Sequence, residues 1–292
     1  MPMKLKAALL FASLFLILTF SSAQELNLPR KSPKAAAAYT IGYTEVSIEY
    51  SSPAVRGREI WGGVVPYGEL WRAGANEATT IEFSTDVEVE GQPLPAGKYS
   101  FFLLPQKEGK WTAVFNKTWD QWGAYNYGQD QDALRVEVDA QFSKQINQEN
   151  LRYEVIGQNI ENGYLLLSWE KLRLYLRIKV NAMQKAMLEV TQALAAAPEE
   201  EKWRINAQAA DFLLWVGQPE PAMQYVEESI RQKPSSFNYW IKARILAFQE
   251  NYPEALAEVD KARKLAETNP EDHYYNDAGK EIEATIEKWK EQ

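Results

Sequence analysis

The hydrophobic periodicity of this chain changes once, near residue 180. Before that point, short apolar or alternating runs are separated by Gly, Pro and Asn, a pattern typical of strands. After it, apolar and small residues follow the spacing of one helix face: Ala182, Ala186, Met187, Val190 and Leu194. Because the two patterns exclude each other within one element, we predict an α+β chain in two segregated domains, a β-domain over residues 24–180 and a helical domain over residues 181–292.

The first half is rich in strand-like runs. They cover residues 44–50, 79–83, 86–90, 98–104, 111–115, 133–138, 151–156, 164–169 and 171–180. Asn162-Gly163 lies between two of them and is typical of a tight hairpin turn. The connections carry no helical pattern, so successive strands are free to pair directly. We therefore predict an antiparallel β-sandwich or barrel.

The helical half contains an internal repeat. Ala222 and Ser229 have small counterparts in Ala255 and Ala262, 33 residues later. A helix pair of this period resembles the tetratricopeptide repeat, in which small residues let neighbouring helices approach closely. The second unit lacks the glycine that Gly217 supplies in the first, so the match is partial. The resemblance implies an all-α tetratricopeptide-like array of helical hairpins, a surface suited to a protein or peptide partner.

Residues 1–23 have the three zones of a secretory signal peptide. Lys4 and Lys6 precede an apolar run over residues 7–20, and Ser21-Ser22-Ala23 supplies small residues for cleavage. The run is shorter than the roughly 20 residues that span a bilayer, although an uncleaved anchor is the alternative. We expect an exported protein, periplasmic or extracellular, that begins near Gln24 and has no membrane anchor after cleavage.

Several common chemistries are excluded by composition. The chain has no Cys and one His, which removes disulfides, thiol catalysis, thiolate zinc sites and multi-His metal sites. The formal net charge of −8 argues against nucleic-acid binding, which needs a basic surface. We therefore predict no cofactor, no metal site and no nucleic-acid partner.

The stretch over residues 56–79 is the densest in glycine, arginine and aromatic residues. Glycine permits unusual backbone conformations, arginine offers a planar fork for anions, and loops on a rigid sheet often carry function. A structural role is favoured over a ligand site here, with Arg72 paired to Glu69 or Glu77 and with Trp61 and Trp71 filling the end of the sandwich. The candidate ligand-binding residues, most of them in this stretch, are Arg56, Arg58, Tyr67, Glu69, Trp71, Arg72, Asn76, Glu77, Trp119 and Trp122.

Several motifs in this half also occur together in a known family. They are REIWGGVVPYGELWRAGANEAT at residues 58–79, LPAGKYS at residues 94–100, the region over residues 117–123 with its two tryptophans, and Ser32-Pro33. In this order they resemble domain-of-unknown-function family 2911, over roughly residues 30–180. The resemblance implies an exported bacterial protein, often with appended helical repeats, and it implies no established activity or catalytic residues.

Aromatic and acidic residues supply weaker candidates. One aromatic group predicts either sandwich core or a platform for sugar rings or peptide: Trp111, Trp119, Trp122, Tyr125 and Tyr127. The acidic stretch over residues 126–132 predicts a solvated turn, with a Ca²⁺ loop as the alternative. In the helical half, Lys242 and Arg244 are either ordinary solvated residues or contacts for an acidic peptide.

These observations favour a non-enzymatic ligand-binding or protein-interaction module, with a small ligand at the β-domain loop. One alternative is a small hydrolase or carbohydrate-active enzyme that uses Glu69, Glu77 or Asp120 as acid and base. The other is a structural component of the cell envelope, in which the loop only stabilises the sandwich. The chain does not specify a catalytic residue.

Overall fold

A computed structural model describes residues 28–269 and 271–292, apart from the side chain of residue 276. The signal peptide predicted over residues 1–23 lies outside the described residues. Within them, the predicted fold class is confirmed: an antiparallel β-sheet region is followed by an all-helical region. None of the described helices is long and apolar enough to cross a bilayer.

Twelve strands form the β-region in the described part of the chain. Their bounds are β1 Lys34–Ile41, β2 Thr44–Ser51, β3 Thr79–Phe83, β4 Val87–Val89, β5 Gln92–Leu94, β6 Gly97–Leu104, β7 Trp111–Asn116, β8 Asp132–Val138, β9 Ala140–Phe142, β10 Gln148–Gly157, β11 Asn162–Glu170 and β12 Leu172–Lys179.

The strands make two six-stranded antiparallel sheets. The first has the order β1-β2-β3-β6-β7-β8, and the second has the order β10-β11-β12-β4-β5, with β9 also paired to β12. Neither sheet closes on itself, so the fold is a sandwich and not the barrel that the sequence left open. Alternate residues of each strand therefore face the interior, and the rest face outward.

Large aromatic side chains fill the space between the sheets. Trp111 and Trp169 come from strands and are about 1% exposed, whereas Trp61 and Trp71 come from the long β2–β3 connection and are 9% exposed. The ring of Trp61 lies 5.6 Å from that of Trp71 and 5.1 Å from that of Trp111. The prediction that Trp61 and Trp71 fill the sandwich is confirmed. Their burial fixes much of the connection against the core.

Six helices follow the sandwich in the described residues. They are α1 Ala182–Ala196, α2 Lys202–Trp215, α3 Pro219–Gln232, α4 Ser236–Phe248, α5 Tyr252–Thr268 and α6 Tyr274–Lys290. Helix α2 packs on α3, and α4 packs on α5. The repeated small residues Ala222, Ser229, Ala255 and Ala262 are fully buried at these contacts. Small side chains therefore let the paired helices lie close together.

Some elements differ from the sequence predictions. Strand β1 was not predicted, because its alanine run has low strand propensity and no alternation. Pairing with β2 along its whole length holds it in the sheet. The hairpin turn predicted at Asn162-Gly163 lies a few residues earlier, since the Gln158 amide already bonds to the Asn162 carbonyl.

Candidate functional site

One row of outward-facing residues crosses the first sheet from β1 to β7. Cross-strand pairing aligns Ala36, Glu49, Thr80, Ser100 and Asn116 in register. These side chains lie on the face opposite the core, where a sheet usually meets solvent. Ser100 and Asn116 are nevertheless fully buried. Something therefore covers the β6–β7 end of this outer face.

The cover is the greater part of the connection between β7 and β8, residues 117–128, which we term the tryptophan loop. The Asn116 side chain donates hydrogen bonds to the Gly128 carbonyl (2.9 Å) and to the Asp132 carboxylate (2.8 Å) and accepts one from the Thr118 amide (3.0 Å). Both ends of the loop are thus fastened to one buried amide. Within the loop, the Gln121 side chain donates to the Thr118 carbonyl at 2.6 Å.

A second attachment joins the tryptophan loop to the β2–β3 connection. The Ala78 amide donates to the Gln121 carbonyl, and the Gly123 amide donates to the Asn76 carbonyl, both at 3.0 Å. These bonds form an isolated antiparallel bridge between Glu77 and Trp122. Directly paired residues of an antiparallel bridge project to the same side. The Glu77 and Trp122 side chains therefore project to the same side of the bridge.

Glu77 is held by the segment that precedes β1. The Arg30 guanidinium donates to the Glu77 carboxylate at 2.6 Å, and the Lys34 ammonium lies 3.8 Å from it. Partial burial alone would raise the pKa of Glu77, but the Arg30 hydrogen bond and the two positive charges outweigh it and lower the pKa below its usual range. Glu77 is therefore an ionised hydrogen-bond acceptor at neutral pH.

Asn76 supports this arrangement from the backbone. It has a left-handed φ of 60°, a conformation that asparagine tolerates better than most residues. Its side-chain amide donates to the Ser32 carbonyl and to the Ser51 hydroxyl, each at 3.2 Å. The Ser51 hydroxyl in turn donates to Glu77 at 3.4 Å. The chain before β1, strand β2 and the β2–β3 connection are thus fastened together beside the carboxylate.

A groove of about 730 Å³ lies between the tryptophan loop and the uncovered part of the outer face, a volume within the range of small-molecule sites. Alanines of β1 and polar residues of β2 and β3 line its floor. Trp119 and Trp122 line its side and are 45% and 52% exposed. The Lys98 ammonium lies 5.1 Å from the Trp119 ring centre. The groove therefore combines aromatic surface with fixed polar groups.

The charges that line the groove are close to balanced. Glu49, Glu77 and Asp120 line it together with Lys34 and Lys98. Lys98 pairs with Glu49 at 3.0 Å, and Glu77 pairs with Arg30 and Lys34. Most of these side chains therefore already have a partner of opposite charge, and the site has no strong field of one sign.

The structure brings four of the ten predicted site residues together. Glu77, Trp119 and Trp122 line the groove. Asn76 positions Glu77 through Ser51. These residues come from two segments about 40 positions apart in the chain, and the bridge between Glu77 and Trp122 unites them.

Five other predicted site residues do not line the groove. Arg56 donates to the Lys31 carbonyl, and Arg58 donates to two carbonyls of its own turn. The Trp71 indole is in the core and donates to the Gly74 carbonyl, Tyr67 packs beside the core, and Glu69 is exposed. The two arginines and the two aromatic residues therefore hold the β2–β3 connection in shape.

Arg72, the remaining predicted site residue, differs from its predicted structural role. Among the described residues, Arg72 forms no ion pair with Glu69 or Glu77, and Glu77 pairs with Arg30 and Lys34 instead. Arg72 lies under Gly123 of the tryptophan loop. Burial lowers the pKa of its guanidinium, and its Nε has no hydrogen-bond partner among the described residues.

The aromatic and acidic residues that the sequence offered as weaker candidates do not form one site in the structure. Trp111 is core and Tyr127 is half-buried, whereas Trp119, Trp122 and Tyr125 are exposed, so the aromatic group divides between core and surface. Asp132 accepts hydrogen bonds from Asn116, Tyr127 and Arg135, an arrangement that fastens the loop. No group of three or more His, Asp or Glu side chains within residues 28–269 and 271–292 is placed to hold a metal ion.

Sequence reasoning missed several groove residues. Glu49, Thr80 and Lys98 lie at outward positions of strands, where a charged or polar side chain is ordinary. The strand alternation identifies them as outward-facing. Only the order of the strands shows that they share one patch, and that order is not visible in the local pattern.

Comparison with known proteins identifies a family. The family model described as "Protein of unknown function (DUF2911)" matches residues 32–178. The match covers the two sheets and the groove, and it ends before the helical region. No curated protein and no solved structure matches the chain significantly.

Proposed function

The chain belongs to the family described as "Protein of unknown function (DUF2911)", and since that description assigns no activity, we propose a function from the groove itself. The protein is a non-enzymatic binding protein that takes a small ligand between the tryptophan loop and the outer face of the first sheet. The observation that carries this proposal is the pair of half-exposed indoles, Trp119 and Trp122, on a loop fastened at both ends and through its middle.

The rigidity of the site supports binding. Exposed single aromatic residues are common on protein surfaces and need no explanation. Here two of them border a concave site in which the network around Asn76 holds Glu77, and Asn116 fastens the loop that carries both indoles. A preformed site loses little conformational freedom when a ligand binds, which favours affinity.

A hydrolase is the second candidate, because Glu77 and Asp120 line the same groove. A glycosidase of this type needs one carboxyl that is protonated near neutral pH and acts as the general acid. The pKa of Glu77 is lowered instead, and Arg30 occupies one of its oxygens. Glu69 does not line the groove. The electrostatics therefore argue against Glu77 as the general acid of such an enzyme.

For the helical half, we propose a tetratricopeptide-like pair of hairpins that contacts a protein or peptide partner. The support is the 33-residue spacing of fully buried small residues at both helix pairs. Lys242 and Arg244 are in ion pairs with Glu227 and Asp211, which leaves them less available to an acidic peptide. We also propose that the chain is exported, on the strength of the leader pattern in residues 1–23. A mature N-terminus near Gln24 in the processed protein would test this.

A thermal-shift screen tests the groove. The purified protein is heated with glycans, cell-wall fragments, peptides and divalent metals, beside Trp122→Ala and the matched control Trp215→Ala. Trp215 is 69% exposed and lies on the helical region. A ligand at a hundred times its Kd should stabilise the native state by about 2.7 kcal/mol. We expect the rise in melting temperature that the ligand causes to vanish in Trp122→Ala and to remain in Trp215→Ala.

The screen also separates the alternatives. In a separate cleavage assay with the same glycans, turnover that is lost in Glu77→Gln would favour the hydrolase. A shift that survives Trp122→Ala would place the ligand elsewhere and contradict the proposal. A silent screen in which Trp122→Ala is less stable than the parent protein, while Trp215→Ala is not, would favour the structural envelope component, because in that case the loop only stabilises the sandwich.

A further inference from the structure

We infer that the groove binds a neutral saccharide, whose ring stacks on Trp122 or Trp119 while its hydroxyls bond to the polar floor. This inference rests on the proposed function, because it names the class of ligand for the same site.

The placement of the indoles supports a flat ligand with an apolar face. About half of each side chain is exposed although both lie beside a concave surface. A sugar ring presents C–H groups on one face, and packing that face on an indole removes apolar surface from water. Lys98 already lies over the Trp119 ring at 5.1 Å, so Trp122 has the less obstructed ring.

Hydrogen-bonding groups border the stacking surface in the way a polyhydroxylated ligand needs. The bridge places the Glu77 carboxylate on the same side as the Trp122 ring. Ionised carboxylates accept from hydroxyls, ammonium groups donate to them, and amides do both. Glu77 and Asp120, Lys34, and Asn126 supply these three kinds of group around one groove. A saccharide hydroxyl can satisfy any of them, as donor or as acceptor.

The charge balance argues against a charged ligand. Three carboxylates and two ammonium groups line the groove, and Arg30 neutralises one of the carboxylates. An anionic or cationic ligand would meet no excess of the opposite charge. A neutral ligand needs only the local hydrogen bonds that the paired side chains still offer.

The floor also argues against an extended peptide. Peptides often bind by pairing their main chain with the free edge of a sheet. Most of the groove floor is instead a sheet face, since the main chains of β2, β3 and β6 are already paired on both sides, and only β1 is an edge strand. Recognition over β2, β3 and β6 therefore depends on side chains, as it does for sugars.

Isothermal titration calorimetry of the purified protein tests this inference. The probes are neutral di- to tetrasaccharides of glucose, xylose, mannose and N-acetylglucosamine, together with a set of short uncharged peptides. We expect at least one saccharide to bind, with an affinity that changes less than about twofold between low and high salt. Trp122→Ala should weaken it about tenfold or more. The matched control Trp215→Ala should leave it unchanged.

Trp119→Ala gives an independent variant, and the melting temperature of each variant shows whether it folds. Saccharide binding that Trp122→Ala and Trp119→Ala both leave intact overturns the inference. Peptide binding that depends on Trp122, without saccharide binding, overturns the saccharide and leaves the proposed groove standing. If no probe of either kind binds, the inference of a saccharide ligand is overturned. If the thermal-shift screen also finds no stabilising ligand, the proposed function is overturned as well.

Discussion

Glu77 keeps its charge because two cations lie beside it, Arg30 before β1 and Lys34 at the start of β1. Arg30 is hydrogen-bonded to it, and Lys34 lies near the same oxygen. Together they lower its pKa although partial burial acts in the opposite direction. The same carboxylate therefore anchors the segment before β1 and presents an acceptor to the groove.

The lowered pKa of Glu77 predicts a pH-dependent contribution to stability. A carboxyl with a lower pKa in the folded state stabilises the protein above its unfolded value of about 4.3, and this stabilisation is lost as pH falls through the folded value. Arg30 and Glu77 are 46% and 37% exposed, so the gain at neutral pH should be below about 1 kcal/mol. We expect urea denaturation to show that Glu77→Gln is less stable than the parent protein at neutral pH and that the difference shrinks between about pH 5 and pH 3.

The exposed Glu69 provides the control for this measurement. It forms no ion pair with the described residues, so Glu69→Gln should track the parent protein across the same pH range. A Glu77→Gln difference that stays constant with pH would contradict the ion pair.

At this scale the sequence predicted residue types better than roles. The density of glycine, arginine and tryptophan indicated that residues 56–79 form either a ligand site or a loop that is fixed to the sandwich. It could not show that Arg58 bonds to its own turn while Glu77 faces the groove. Both residues are charged and lie in the same irregular connection, and only the cross-chain contacts with Arg30 and Trp122 distinguish them.

The tryptophan loop is the element that makes the groove. It folds over the outer face of β6 and β7, where it buries Ser100 and Asn116, and leaves the outer face nearer β1 uncovered. The alanine side chains of β1 are small and do not fill the space above that part of the face, so the groove has depth. The loop and the first strand therefore define the site together.

Asn116→Ala should loosen this loop. The substitution leaves the Thr118 amide and the Gly128 carbonyl without their partner, and buried polar groups that lose a partner cost about 1–3 kcal/mol each. We expect a loss of about 2 kcal/mol or more in urea denaturation and faster hydrogen exchange at residues 118–123. Thr112→Ala, on the same strand, is the control. Slow exchange in the loop of Asn116→Ala would show that other contacts hold it.

The strands with clear alternation were predictable, and those without it were not. β2, β6 and β12 alternate or carry continuous apolar residues, which is why their existence was evident. β1 is largely alanine and is a strand only because β2 pairs with it. Since β1 lines the groove, the depth of the site could not be predicted from local pattern.

The two halves of the molecule meet where the sandwich passes into the first helix. Val180 and Ala182 are buried with the sandwich core. The Tyr43 hydroxyl donates to Glu189 at 3.2 Å, and the Lys185 ammonium lies over the Tyr43 ring. The β1–β2 turn is thus a docking point for α1.

Gly42 in that turn should tolerate no side chain. Its φ is +55°, and a Cβ there would contact the Ala182 methyl and lie 2.5 Å from the Ile160 carbonyl oxygen. We expect Gly42→Ala to combine backbone strain with overpacking. It should lower the free energy of unfolding by about 2 kcal/mol or more beyond the loss that backbone strain alone causes. Gly57→Ala is the matched control, because Gly57 has a φ of +67° and open space around it. Equal losses in urea denaturation would contradict the close packing at this junction.

At the scale of the whole molecule, the single change of periodicity near residue 180 predicted the order of the two regions. α1 begins at Ala182, directly after β12 ends at Lys179. The choice between sandwich and barrel depended on whether the edge strands meet, and local alternation is the same in both. Only the structure therefore shows that the sheets stay open and form a sandwich.

The most direct test of the central claim is to locate the ligand among the ten tryptophans of the chain. ¹⁹F spectra of the protein labelled with fluorotryptophan, assigned with single Trp→Phe variants, would be recorded as the ligand selected by the thermal screen is added. We predict that the Trp119 and Trp122 resonances move while those of buried Trp111 and distant Trp215 stay in place. Shifts confined to Trp215 and its helical neighbours, with Trp119 and Trp122 unchanged, would contradict a binding site at the tryptophan loop.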